Sequence, residues 1–367
     1  MGWEWPTNRL LQYLPLGKYS AFNIIMWGAV LASFAGVKNF SGAVAVRFFL
    51  GVFESAVTPG FALLTSQWYT KKEQGTRTGI WFSFNGFGQI FGGLVSYGIA
   101  RGTAIHGSAI APWKIVFLVT GLLTLSLGVV FWFVIPDNQM NARWLTPADR
   151  ILAIERIRMN QQGVGNKHWK LYQIKEALTD PVAWALFFYA LVADIPNGGI
   201  SNFFSLLIES FGYTAEQSLL YGTPGGAVEV VTLIASGYFG DRFGNRILIA
   251  ASGLFISIIG ISLIVGLSEE HKNGRLAGYY LTQASAMGFV CLLSLISSNI
   301  AGYTKKTTVA AMYLIGYCAG NIIGKRRQFG QETCNSLTKI CRPSNLPRNQ
   351  LSTGRNYHHC VLGTLYL

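Results

Sequence analysis

The stretch "RFFLGVFESAVTPG" (47–60) sets Arg47 and Glu54 seven residues apart inside a long apolar run. On a helix of 3.6 residues per turn, Arg47, Gly51, Glu54 and Thr58 share one face, with about 10 Å along the axis between the two charges. That is too far for direct pairing within the helix and leaves room for a bound group or a partner side chain. Ionisable groups in apolar spans face the interior of a bundle and mark substrate or proton paths. Arg47 offers a planar fork of donors whose charge is permanent, which suits a carboxylate. Glu54 can load and release a proton, with the balance set by burial and by the arginine's charge. An anion bound at Arg47 would weaken that counter-charge, so anion and proton would bind together. The alternative is a buried salt bridge that only fixes helix packing.

Further polar residues interrupt other apolar stretches. In "FNGFGQIFGG" (84–93), Asn85 and Gln89 lie at i and i+4 on one face, among glycines that permit close helix approach; they read as substrate contacts or as packing glue. "VADIPNGGISNFF" (192–204) joins Asp194 and Asn197 to a Pro196–Gly199 interruption, and broken helices often line transport sites. Asp194 is thus a second candidate for proton coupling and Asn197 for substrate contact, or the stretch is a hinge. Glu229, twelve residues before Asp241, reads as a gating or packing partner.

The elements that must position these residues are membrane helices. Of the 367 residues, 51% are hydrophobic and 12% charged, with a mean hydropathy of +0.35. Soluble domains carry roughly twice that share of charge. The apolar residues fall in blocks long enough to cross a ~30 Å hydrocarbon core. Nine spans are expected, near 21–37, 41–69, 78–100, 112–135, 182–209, 218–238, 247–267, 276–302 and 307–324. With residues 1–20 cytoplasmic and the spans alternating, sixteen Lys/Arg fall on the cytoplasmic side, clustered at 71–77, 143–175, 242–246 and 305–306. Five (Lys38, Arg101, Lys114, Lys272 and Arg275) fall on the other. That asymmetry sets the orientation. The net charge of +13 is therefore topology, and nucleic acid is not an expected partner.

Residues 136–181 separate four spans from five. Within them "LTPADRILAIERIRMNQ" reads as an amphipathic helix with Thr146 as N-cap, Pro147 at the first position and Asp149 completing the cap. Its stripe of Ile151, Leu152, Ile154 and Ile157 suits the cytoplasmic membrane surface or the underside of the bundle. The division expected is a first helical half at 1–135, a central loop at 136–181, a second half at 182–324 and a basic tail at 325–367. "LPLGKYS" before the first span and "GDRFGNRIL" before the seventh hint at an internal repeat that aligns Gly17 with Gly244. No histidine lies in a span, and no metal cluster, phosphate loop or nucleophile–base pair is visible. An enzyme, a metal and a cofactor are not expected.

"SGYFGDRFGNR" (236–246) resembles the cytoplasmic loop signature of the major facilitator superfamily, matching it at Gly237, Asp241, Arg242, Gly244 and Arg246; Asn245 stands where a basic residue is usual. "RFFLGVFESAVTPG" with "SQWYTKKEQGTRTG", and "QIKEALTDPVAW", are similar to the fungal allantoate permease group in the anion:cation symporter branch, over about residues 3–324. The resemblance implies an all-α polytopic fold of twelve helices in two halves, of which the nine spans here are helices three to eleven. It implies one central site opened alternately to each side, a small organic anion carried with protons, and gating by the 237–246 loop. An Arg and a Glu at the Arg47–Glu54 spacing belong to the same pattern. A monomer in the plasma membrane is expected. The first-half copy of the loop signature, "LPLGKY", lacks the Asp-Arg pair. From residue 325 the pattern is lost in a stretch with seven Lys/Arg and one acid, so 325–367 is expected to lie outside the native fold. The alternatives are a membrane sensor that does not transport, or an inactive truncated product.

Overall fold

The computed structural model describes residues 3–158, 170–268, 270–300 and 302–341. Its regular structure is helical: α1 (Glu4–Tyr13), α2 (Leu16–Ser33), α3 (Phe40–Glu54), α4 (Val57–Trp68), α5 (Gln74–Phe82), α6 (Phe84–His106) and α7 (Pro112–Val134) come first. The central loop supplies α8 (Pro147–Arg158) and α9 (Leu171–Thr179). Then follow α10 (Pro181–Asn202), α11 (Phe204–Ser210), α12 (Ala215–Phe243), α13 (Arg246–Gly266), α14 (Lys272–Thr282), α15 (Ala286–Asn299) and α16 (Tyr303–Cys341).

Among the described residues, eight helical stretches are long and apolar enough to cross a membrane, where the sequence suggests nine. The difference is the span expected at 78–100. It is present as α5 and α6, and the 23 residues of α6 reach about 34 Å. Asn85, Gln89 and Arg101 dilute its hydropathy, because this helix faces the interior and not lipid alone.

Several spans are built from two helical pieces. The expected span 41–69 breaks at Ser55–Ala56, where Pro59 has no N–H to donate to the Ser55 carbonyl. The proline effect is not uniform. α10 runs through Pro196 without a break and ends at Asn202, so the expected interruption at Pro196–Gly199 is corrected. Gly198 and Gly199 serve packing instead: a Cβ at Gly198 would strike the Asn321 backbone, and Gly199 lies against Gly324 on α16.

Glycine contacts also set the other main pairings, which are α10 with α16, α2 with α7, α12 with α5 and α6, and α13 with α14 and α15. Gly28 on α2 meets Gly121 on α7, and Gly260 on α13 meets Gly278 on α14. The pairing of α12 with α5 and α6 joins the first half to the second. A core of Leu186, Leu233, Phe289, Val290, Ile296 and Tyr313 fills the second half beneath it.

In the central loop α8 begins as the sequence suggests: the Thr146 hydroxyl accepts from the Asp149 amide (3.2 Å) and donates to its carboxylate (2.6 Å). Ile157 is buried, while Ile151 and Leu152 are about two-thirds exposed (65% and 64%). The two glycines aligned as a repeat differ in backbone. Gly244 closes α12 in the left-handed region (φ 72°), whereas Gly17 lies in the first turn of α2. Past residue 324 the backbone of α16 continues as helix to Cys341; residues 342–367 lie outside the described residues.

Candidate functional site

Gly244 lets α12 end in a tight turn, its amide bonded to the Gly240 carbonyl at 3.1 Å, and α13 begins at once with Arg246. The turn brings Asp241 to the start of α5. The first amides of a helix have no partner of their own and carry partial positive charge. Asp241 accepts from two of them, Gly75 N (3.1 Å) and Thr76 N (2.6 Å), and from the Thr76 hydroxyl (2.8 Å). Arg246 closes the cluster, 2.7 Å from Asp241 and with both side chains about one-tenth accessible. Its remaining donors reach Lys71 O (3.0 Å), Ser294 O (3.1 Å) and Ser298 Oγ (2.8 Å). Gly237 has no room for a side chain, since a Cβ would meet the Gly75 carbonyl. The loop of the second half thus caps a helix of the first. Arg242 is exposed and takes no part.

Other segments rich in Lys and Arg gather at the same end. Arg156 on α8 pairs with Glu73 at 2.5 Å, and Lys305 bridges Glu176 (2.8 Å) and Asp180 (2.9 Å). Burial works against ionisation of Glu73, but the Thr70 amide and hydroxyl and the Arg156 guanidinium outweigh it and hold the carboxyl below its ordinary range. Lys305, then the Val182 amide, lower Asp180 in the same way.

Deeper in the bundle both halves line a cavity of about 290 Å³. Asn85 and Gln89 enter it from α6, Asp194 and Asn197 from α10, Glu229 from α12 and Tyr317 from α16. Five of the residues singled out in the sequence, four of them as substrate or proton candidates, therefore converge. Asn197 donates to the Asp194 carboxylate (3.2 Å), and Gln89 donates to the Tyr279 hydroxyl (2.8 Å). Asp194 is 7% accessible, and the buried Tyr189 hydroxyl has no hydrogen-bond partner. Gln283, Ser285, Phe82 and Phe289 complete a wall with carboxyls, carboxamides, hydroxyls and aromatic faces, and with no lysine or arginine in it.

Arg47 and Glu54 stand apart from that wall, on α3. Arg47 is exposed, its guanidinium carbon 5.2 Å from the centre of the Phe34 ring. Glu54 closes α3, accessible yet within reach of the charge on Arg47. No ion pair joins them, so the salt-bridge alternative has no support here. Thr58, expected on the same helix, lies in the first turn of the next one.

Sequence reasoning gave Glu229 a gating or packing role and did not single out Tyr189, Gln283 or Tyr317. Glu229 carried a usable signal, an acid in an apolar span. The tyrosines carried none, since aromatic residues in a membrane helix are ordinary packing.

Membrane helices in two groups, joined by the Asp241–Arg246 cap and together lining a cavity, are the architecture of a class of carriers. The family model of the Major Facilitator Superfamily matches residues 9–324, and the chain belongs to that family. It is 44% identical over 322 residues to an uncharacterized transporter of Schizosaccharomyces pombe, covering 88% of this chain and 62% of that protein. It is 38% identical to the allantoate permease of Saccharomyces cerevisiae (84% of this chain, 58% of the permease). Against a thiamine pathway transporter of the same yeast it is 34% identical (86% and 60%). The chain thus spans about three-fifths of the length of these relatives. Among solved structures, the proton:xylose symporter XylE superposes with a TM-score of 0.58 at 18% identity, covering 90% of this chain and 77% of that one. A bacterial homolog of the lysosomal transporter Spinster gives 0.58 at 16% identity, covering 92% and 73%. The chain is an integral, multi-pass membrane protein whose relatives are transporters and not enzymes.

Proposed function

We propose that this protein works as a secondary transporter, moving a small organic anion with protons through the space between its halves by alternating access. The observation that carries the proposal is the cavity to which both halves contribute, lying above a cytoplasmic cap that also joins both halves. Rocking the halves apart at the cytoplasmic end must release Gly75 and Thr76 from Asp241 and the Lys71 carbonyl from Arg246. While those bonds hold, the cavity is closed on that side.

In this reading Arg47, apart from the cavity in this conformation, attracts the anion and meets its carboxylate when the halves move, and Asn85, Gln89 and Asn197 hydrogen-bond the substrate inside the cavity. Glu54 and Asp194 carry protons. A proton on Asp194 removes a charge from a site that otherwise repels an anion, which is the physical basis of coupling here. The similarity to the yeast allantoate permease supports a carboxylate-bearing substrate, and the symporter likeness supports the fold that proton coupling uses. The plasma membrane and a monomeric state belong to the same proposal.

The test separates coupling from binding. Glu54→Gln should abolish accumulation against a gradient and leave exchange of substrate between the two sides within a few-fold of the parent. Proton-driven accumulation that survives in Glu54→Gln, measured in cells or vesicles with an imposed pH gradient, refutes the role. Arg47→Lys, which keeps the charge and loses the fork, should raise the half-saturating substrate concentration about tenfold or more.

A further inference from the structure

We infer that the central cavity receives a protonated nitrogen, so that the carboxylate carried by this protein also bears an amino group, with Glu229 as its counter-charge. The inference rests on the transport reading above for the carboxylate and adds what the other end of the substrate must be.

The hydrogen bonds already made in the cavity wall leave mainly acceptors free. The Gln89 side-chain nitrogen has two protons and spends both, on the Tyr279 hydroxyl (2.8 Å) and on the Gly222 carbonyl (3.4 Å). A backbone carbonyl only accepts, so the carboxamide cannot be turned round, and what Gln89 has left is its own carbonyl oxygen. Asp194 accepts from Asn197 at one carboxylate oxygen, which leaves the other for a ligand. Glu229 is half-buried, and its carboxyl has neither a hydrogen bond nor an ion pair among the described residues. Two carboxyls and a carboxamide oxygen thus line a space of about 290 Å³ that has no lysine or arginine in its wall. A group that binds there must donate.

Aromatic faces close the same space. Phe289 lies between Phe82 and Tyr317, with ring centres 5.0 and 4.8 Å from its own, and all three line the cavity. The face of an aromatic ring is negative and attracts a cation. Carboxyls and ring faces without a fixed cation repel a carboxylate and attract an ammonium group. The Tyr189 hydroxyl, buried without a partner, adds a neutral oxygen that can accept from the same nitrogen.

Glu229 is set apart from Asp194 by where it stands. It lies on α12 between Gly226 and Val230, the residues at which α12 crosses α6: a Cβ at Gly86 would meet the Gly226 carbonyl at 2.5 Å and the Val230 amide nitrogen at 3.1 Å. Glu229 is therefore held where the two halves touch. An ionised acid within an apolar span is costly, and a cation brought in by the substrate lowers that cost. Asp194 takes the proton in the transport reading, so the two acids are neutralised by different partners.

Binding to the purified full chain at neutral pH tests this, read as the rise in Tm on adding a probe. The probes are 4-aminobutanoate, butylamine and pentanoate, the last carrying a methyl group where the first carries its ammonium. Both amines should raise Tm at concentrations about tenfold or more below any at which pentanoate does. In Glu229→Gln the half-saturating concentration of both amines should rise about tenfold or more, and their advantage over pentanoate should collapse. A parent protein stabilised equally by pentanoate, or by none of the three, overturns the inference, as does an unchanged advantage in Glu229→Gln. Stabilisation by sodium chloride that equals that by butylamine and is lost in Glu229→Gln also overturns it, because the site is then a metal-cation site. If Glu229→Gln does not fold, Glu229→Asp carries the test: withdrawing the charge by one methylene should weaken both amines by less and leave pentanoate as it was, and unchanged amines overturn it. Because binding is read without flux, the result stands apart from whether Glu54 carries protons or the chain accumulates its substrate.

Discussion

At the scale of single residues, the cytoplasmic cap concentrates its energy in Asp241. That carboxylate neutralises Arg246 and satisfies two helix-terminal amides at once, and Arg246 has no other acid within ion-pair distance among the described residues. Asp241→Asn leaves the guanidinium buried without its counter-charge, a change that costs about 3–5 kcal/mol when a buried pair is broken. The expected result is a population shifted towards the cytoplasm-open form, read as faster labelling of a cysteine at Thr76 by a reagent added from the cytoplasmic side. Unchanged labelling would remove the cap from the gating mechanism. Glu73 makes a pH-dependent contribution at the same end. Its carboxyl is held below the ordinary value of about 4.3, so the stability it adds is present above that value and is lost as pH falls through the lowered one. The protection factors of amides 70–76, after correction for the pH dependence of intrinsic exchange, should therefore fall in the native chain once pH drops below about 4, while Glu73→Gln shows no such additional step. The loop residues could be read from the sequence because a turn, a cap and a close approach each demand one residue type. The separation of Arg47 from the cavity could not, because helical spacing fixes a face and says nothing of what that face meets.

At the scale of helices, apolar blocks located the membrane elements, and local chemistry decided where each one breaks. Pro59 splits one span, while Pro196 lies inside an unbroken helix. Pro224 likewise lies inside unbroken α12, so the residue type alone does not decide the outcome, which depends on whether a neighbouring helix holds the backbone in place. For α10 that neighbour is α16, pressed against Gly198 and Gly199. The joint between the halves rests on a similar device. A Cβ at Gly86 would come within 2.5 Å of the Gly226 carbonyl, and one at Gly226 within 2.5 Å of the Gly86 carbonyl. Neither backbone can yield as a side chain can. Gly86→Ala and Gly226→Ala should each destabilise the purified protein by about 1–3 kcal/mol, as overpacking does, seen as a fall in Tm of several degrees. The double variant should be less than additive, because the first substitution already forces the helices apart. Strict additivity would mean that the two contacts do not share one crossing.

At the scale of the whole molecule, orientation follows from charge, and the fold sorts the charges as the sequence requires. Lys18 reaches Asp137 through its amide (2.9 Å), Arg156 reaches Glu73 and Arg246 reaches the Lys71 carbonyl, so four loops rich in Lys/Arg meet at one end. At the opposite end Lys272 donates to the Gly212 carbonyl (3.2 Å), the Tyr213 hydroxyl donates to Asn273 (2.8 Å), and Arg275 stacks 5.0 Å from the Phe211 ring. By the positive-inside rule the end with few cations is expected to be the translocated face. α8 lies at the basic end, with Ile151 and Leu152 exposed where a membrane surface can receive them. A cysteine at Ser108, in the loop between α6 and α7, should label completely with an impermeant reagent applied outside intact cells. One at Arg143 should stay unlabelled until the membrane is permeabilised. The reverse pattern would invert the molecule and place the Asp241–Arg246 cap on the outer side. The cavity would then open towards the cytoplasm while the cap is closed, and the direction of proton-driven movement would have to be reassigned with it.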